Sequence, residues 1–348
     1  MNCDFKNGKM PPQYTIRKAT PFPTEVSANT MTPPEPENAD RPVVLLTGAS
    51  GYVGGRLVPL LESQPIVLRC LARTPDKLRP LVKESTQIVR GDVLDPPSLD
   101  AALHGVHTAY YLVHLMSDSK DFEKEDRQAA TNFADAAKKA GVRRIVYLGG
   151  LGDDTDPKLS PHLRSRHEVG QLLRASGVET VEFRAGMVVG AGSLSYQLMK
   201  SLTDRLPVMI CPRWLTTATQ PIAVDDVLAY LLAARELPAG ESRIFEIGST
   251  EVVTYADLIR EYARQKGIRR WLIFVPVLTP YLSGLWLALV TPAKFEVGRH
   301  LMKGLKNPTV VRDKTAMEVF PVRPMGVKEA IRLAIAGTTE AVATSSSP

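Results

Sequence analysis

The chain has 348 residues, 44% hydrophobic and 23% charged, a soluble globular composition that excludes a disordered, collagen-like or coiled-coil protein. Its three cysteines, Cys3, Cys70 and Cys211, lie far apart, which excludes a disulfide framework or a cysteine-rich zinc site and fits a reducing cytoplasm. The net charge of +6 favours phosphate-bearing ligands or anionic lipid surfaces; with no basic run and no interleaved aromatics, no nucleic-acid partner is expected.

Residues 1–40 are rich in proline and carry neither a helical nor a strand period, so a disordered tail is expected there. They lack the apolar core of a secretory signal and the Arg-rich face of a transit peptide, and Met31 is an alternative start. Folding is expected to begin at Pro42. Residues 43–46 form an apolar strand, followed by a glycine-rich turn and a helix reaching Ser63. A second strand is predicted over 66–71, after which Thr74 caps a short helix with Pro75 in its first position. Further strands are expected over 87–90, 108–112, 144–148 and 180–184. Helices are expected over 123–140, closed by Gly141, and over 163–176, broken by Gly177. Strand–helix alternation at this pitch predicts an α/β fold, a doubly wound parallel sheet of Rossmann type. The nucleotide-binding domain is expected over 41–220, a smaller substrate lobe over 221–337 and a second disordered tail over 338–348.

Gly48, Gly51 and Gly54 stand directly between the first strand and the first helix. In that context three-residue glycine spacing serves a dinucleotide: a tight turn, backbone approach to a pyrophosphate, and close helix–strand packing. The end of the second strand reads identity at the ribose. An NAD site places Asp or Glu there, whereas this chain has Arg73, with Lys77 a turn further on. A guanidinium at that position pairs with a 2′-phosphate, so NADP(H) is expected over NAD(H).

The glycine loop, the run from Arg73 through Thr74, Pro75, Asp76 and Lys77 to Leu78, and Gly91-Asp92-Val93 after the third strand resemble the atypical short-chain dehydrogenase/reductases. The branch is the NmrA-like, NAD(P)H-binding one. Residues 183–190, 221–227 and 245–248 extend the likeness, which spans about 42–335. The resemblance implies that Gly48, Gly51, Gly54 and Tyr52, with Ser50 and Val53 in the same loop, line the pyrophosphate. It gives Arg73 the 2′-phosphate, Asp92 with Val93 the adenine, and Leu112 a place along the cofactor. Of Tyr110 and Tyr111, at most one is expected to face it.

Standard members of that family use Ser, then Tyr-x-x-x-Lys. Here the fifth strand ends in Gly149-Gly150, and at Tyr-x-x-x-Lys spacing the following helix carries His162 and Arg166. Arginine keeps a positive charge but cannot shuttle protons. Histidine, with an ordinary pKa near 6.5, serves as general acid or base at neutral pH. Two readings stand: His162 protonates a carbonyl while the nucleotide delivers hydride, or the site binds nucleotide and has lost the chemistry. His114, just past the fourth strand, is the other residue expected at the nicotinamide mouth. His104 and His107 lack a third ligand nearby, so no metal is expected. Asp225 and Asp226 read as helix-start carboxylates, and the charged turn from Glu123 to Asp126 likewise.

Residues 271–293 contain no charged residue. Length alone would allow a membrane span, but Pro276, Pro280 and Gly284 oppose a single helix. The expectation is a strand and a short apolar helix in the substrate lobe, with peripheral membrane contact as a further reading. Together these features predict an oxidoreductase acting on an apolar carbonyl or quinone-like small molecule. The second expectation is a non-catalytic NADP(H)-binding sensor, regulator or assembly factor.

Overall fold

The computed structural model describes residues 41–115, 121–275 and 305–345. The tail expected over 1–40, the apolar stretch from residue 276 onward and residues 346–348 lie outside them. Strands run β1 Val43–Thr47, β2 Val67–Ala72, β3 Gln87–Arg90, β4 Val106–Tyr111, β5 Arg144–Gly150 and β6 Glu179–Ala185. Short strands follow: β7 Val188–Val189, β8 Val208–Pro212, β9 Ala218–Thr219 and β10 Ile222–Ala223. The series ends with β11 Arg243–Ile247, β12 Val253–Thr254 and β13 Trp271–Val275. The helices are α1 Tyr52–Leu61, α2 Pro75–Leu78, α3 Pro96–Leu103, α4 Phe122–Lys139 and α5 Pro161–Ala175. The later ones are α6 Leu194–Arg205, α7 Val224–Ala233, α8 Tyr255–Gln265, α9 Thr315–Val319 and α10 Val327–Ser345.

Seven strands form one parallel sheet in the order β11-β6-β5-β4-β1-β2-β3, the doubly wound arrangement the alternation predicts. Both faces are covered, which is why the strands are nearly continuous in apolar residues. Along β1, Val44 and Leu46 face α1 and α7, packing with Leu57, Leu61 and Tyr230. Leu45 faces the other way, into Phe133, Ala129 and Leu99 of α4 and α3. Tyr110 and Tyr111 divide between these faces and both are buried. The Tyr110 hydroxyl donates to the Leu231 carbonyl at 2.9 Å, and the Tyr111 ring lies 4.8 Å from Phe133. Neither faces the cofactor crevice, because each side of this central strand already has a helix layer to fill.

The structure corrects several expectations. Helix α3 closes the gap left between the third and fourth strands; Pro96 and Pro97 start it, and Leu99, Ala102 and Leu103 bury its inner face. Thr74 precedes α2 but makes no side-chain cap bond. The division expected at 220/221 does not follow the packing. β11 returns to the main sheet beside β6, and Tyr196, Met199 and Met209 belong to the second lobe's core with Tyr255, Ile259, Tyr262 and Ile331. The two lobes are therefore interleaved along the chain. Asp226 joins them: its buried carboxylate accepts from the Met325 amide at 2.8 Å, and burial pushes its carboxyl up to about 6. Helix α10 runs past residue 337, expected to end the ordered chain, with the Thr338 hydroxyl bonded back to the Ala334 carbonyl at 2.7 Å.

Candidate nucleotide cleft and active site

The order of the sheet reverses between β1 and β4, and in such sheets ligands bind outside the carboxyl ends of the strands at that point. Here the two ends are stitched together by one side chain. The Thr47 hydroxyl donates to the Tyr110 carbonyl at 2.9 Å and accepts from the Leu112 amide at 3.1 Å. Gly48 follows with φ +73°, and a Cβ there would stand 2.6 Å from the Leu112 carbonyl oxygen. At Gly54 a Cβ would overlap the Gly48 carbonyl, so α1 can approach the loop only as glycine. The helix begins at Gly51, which offers no side-chain cap, and its first N–H groups are left for an anion. Ser50 is exposed beside them and Val53 is half-buried. Tyr52 turns sideways: the Arg56 guanidinium lies 4.1 Å from its ring centroid and bonds the Ala191 carbonyl at 2.6 Å.

Arg73 is exposed immediately past β2, with no carboxylate in the strand end. Arg69, by contrast, is used up structurally, donating at 2.8 Å to the carbonyls of Ala102 and His104 at the end of α3. Asp92 is half-buried in a turn fixed by Ser98, whose hydroxyl bonds its amide at 3.0 Å. Val93 departs from expectation. Its side chain is buried with Leu71 and Leu99, and its carbonyl accepts from Asn132 at 3.1 Å, so it is core and not lining.

Across the crevice, β4 and α5 bring together residues far apart in sequence. His114 Nε2 and His162 Nδ1 stand 3.3 Å apart. His114 Nδ1 faces the Asp126 carboxylate at 3.5 Å, and the other carboxylate contacts are the Ser165 hydroxyl at 2.8 Å and the Leu115 amide at 3.1 Å. Burial alone would raise the Asp126 carboxyl, but the bonds from His114, Ser165 and Leu115 together hold it below its ordinary value. Burial, with the Arg166 charge adding to it, pushes His114 down against the pull of Asp126. A neutral His114 beside an ionised Asp126 carries its proton on Nδ1, leaving Nε2 to accept from His162 Nδ1–H.

Arg166, one turn beyond His162, braces the ends of two strands. It donates to the Leu148 carbonyl and, at 3.5 Å, to that of Val113, with its guanidinium 4.9 Å from the Tyr147 ring centroid. The start of α5 is held as firmly. Ser160 caps the Leu163 amide at 3.3 Å, and Asn307 accepts from the Ser160 amide at 3.1 Å while donating to Asp156 and Lys158.

Sequence reasoning read Asp126 as part of a charged helix start and missed that it is buried; its spacing from His114 gives no signal, since the two belong to different elements. It also missed an ionic chain behind the site that runs from a buried carboxylate out to an exposed one. Glu182, 0% exposed, lies between Arg174 and Arg184, Arg184 reaches Asp154 at 2.7 Å, and Asp154 meets His167, whose Nε2 is 2.9 Å from the Gly150 carbonyl. His104 ends α3 and His107 pairs with the Thr108 hydroxyl at 2.9 Å. No metal-binding group of three ligands occurs among the described residues.

Residues 48–210 match the NAD(P)H-binding family. The chain is similar to a ceramide reductase of Caulobacter vibrioides, 27% identical over 268 residues that cover 74% of this chain and 83% of that protein. It is also similar to the photosystem II assembly factor Ycf39 of Cyanophora paradoxa, 25% identical over 260 residues covering 73% and 77% of the two chains. Among solved structures, the triphenylmethane reductase of Citrobacter sp. complexed with NADP(H) shares the fold with a TM-score of 0.68 at 15% identity, covering 84% of this chain and 99% of that one.

Proposed function

We propose that the chain is an NADPH-dependent oxidoreductase of the atypical short-chain dehydrogenase/reductase kind, in the NmrA-like, NAD(P)H-binding branch, acting on an apolar carbonyl or quinone-like compound; the NAD(P)H-binding match and the likeness to the ceramide reductase support it. The residues present fit the cofactor. The glycine loop is a cradle that a Cβ would fill, the α1 start is uncapped, and no carboxylate opposes a 2′-phosphate at Arg73. Gly48, Ser50, Gly51, Tyr52, Val53 and Gly54 would hold the pyrophosphate, Arg73 the 2′-phosphate, Asp92 the adenine, and Leu112 would lie along the nucleotide. Bound NADPH supplies a hydride.

The observation that carries the reading is the row His162, His114, Asp126 at the carboxyl ends of β4 and β5. In it His162, as the imidazolium, is the catalytic acid, giving the proton on Nε2 to a substrate oxygen and keeping the one on Nδ1. His114 accepts from that Nδ1–H through its own Nε2 and so steadies both the charged ring and the neutral one left after transfer. Asp126 is a positioning residue, fixing His114 through Nδ1, and Ser165 in turn orients Asp126. Arg166 keeps a positive charge at the strand ends and cannot itself exchange a proton. Two free, buried cysteines, Cys70 and Cys211, support a reducing compartment such as the cytoplasm.

The test is His162→Ala beside His162→Gln, with NADPH affinity and turnover measured on both. The reading expects unchanged affinity and a loss of turnover of about 10²–10⁴-fold, the usual size of general acid catalysis. Unchanged turnover overturns it. A second reading, a non-catalytic NADP(H)-binding sensor, regulator or assembly factor, is favoured by the likeness to the photosystem II assembly factor. It expects NADPH binding with no turnover on any carbonyl or quinone.

A further inference from the structure

Strands β8 and β13 form a two-stranded parallel ribbon that joins no other sheet among the described residues. Strand alternation gives it two faces. Met209, Cys211 and Leu272 turn inward onto Tyr196, Ile259 and Tyr262, which anchors the ribbon to the second lobe. The opposite face is apolar and open. Trp271 pairs with Val208 and Ile273 with Ile210, and their exposures are 69%, 49%, 52% and 49% respectively. Four large apolar side chains in two adjacent register pairs make one continuous patch, which a soluble surface rarely leaves without a partner.

The ends of the ribbon are basic. Arg205, Lys266 and Arg269 are exposed just before the two strands, and Arg213 just after β8. The nearby carboxylate, Asp204, is already paired with Lys200 at 2.8 Å. Past Val275 the sequence continues through residue 293 without a charge. No helix of the described residues is long and apolar enough to cross a membrane.

We propose that the open face of the β8–β13 ribbon, ringed by Arg205, Arg213, Lys266 and Arg269, seats the protein on an anionic lipid surface. Tryptophan and aliphatic side chains beside lysine and arginine match the layered chemistry of a bilayer interface, where the ring enters the headgroup boundary and the cations meet phosphate. A second copy of the chain fits less well. A two-fold contact would bring the same face against itself, setting basic ends against basic ends, whereas lipid headgroups neutralise them.

The test is co-sedimentation of the full chain with vesicles of phosphatidylcholine alone and of phosphatidylcholine with phosphatidylserine, without nucleotide, so that the outcome is independent of the cofactor reading. Binding is expected to favour the anionic vesicles and to weaken with salt. Trp271→Ser with Ile273→Ser should lower vesicle affinity about tenfold or more while leaving NADPH affinity unchanged. Arg269→Glu should lower it about fivefold or more. No pelleting with either vesicle overturns the proposal, as does a double variant that pellets like the parent. A stable dimer that the double variant dissociates, without vesicle binding, assigns the face to a second copy and also overturns it.

Discussion

The two ends of the crevice are built on different principles. The nucleotide end is mostly backbone: a positive-φ glycine, an uncapped helix start and a helix pressed onto a loop, all within the span from Thr47 to Gly54. The chemical end is made of side chains carried by three separate elements, with His114 after β4, Asp126 on α4 and His162 on α5. Backbone sites tolerate no added atom at their close approaches and accept any cofactor with the right phosphates. Side-chain sites tolerate substitution of the frame and decide the reaction.

That contrast can be broken at three points. The largest effect belongs to Gly54→Val, whose Cβ would overlap the Gly48 carbonyl, a backbone atom that cannot swing aside. It should destabilise the fold by about 3 kcal/mol, measured by urea unfolding, and abolish NADPH binding. Retained stability and binding would mean that the loop is not the rigid cradle described above.

Next comes Arg73→Asp. Bonds to charged groups contribute about 1.5–3 kcal/mol, so NADPH affinity should fall roughly tenfold to a hundredfold while NADH affinity holds or improves. Calorimetric titration of both nucleotides separates the outcomes, and equal losses would remove Arg73 from the 2′-phosphate.

The smallest effect is expected from Asp126→Asn at the chemical end, about tenfold or less in turnover at unchanged NADPH affinity, because the variant loosens the orientation of His114 without removing the acid. It should also move the pH profile of turnover, which a merely structural role would not do. Its stability effect has a definite sign. The Asp126 carboxyl is held below its ordinary value when folded, so the parent gains stability above the unfolded pKa and loses it as the pH falls through the folded one. The asparagine variant lacks that acid-side loss, and urea unfolding across the acid range measures the difference.

Legibility followed the same division. The glycine spacing, the missing carboxylate near Arg73 and the strand–helix alternation were readable because each is local. His114 and His162 were readable as single residues at strand and helix ends, but their 3.3 Å approach was not. Asp126 looked like one more charge at a helix start; only the packing of α4 against α5 buries it and aims it at His114. Val93 erred in the opposite direction: the resemblance led to the expectation of a place beside the adenine, and its side chain is in the core, with its carbonyl bonded to Asn132. The lobe boundary failed because β11 travels back to the main sheet, a long-range pairing with no local sequence mark.

The most direct test of the whole account is a calorimetric titration of the protein with NADPH and NADH, continued in the same sample as an NADPH-oxidation assay against a panel of quinones and apolar aldehydes. The account predicts NADPH-selective binding followed by turnover on at least one member of the panel. Absence of nucleotide binding would contradict the reading of the cleft, and selective binding with no turnover on any compound would contradict the proposed chemistry at His162.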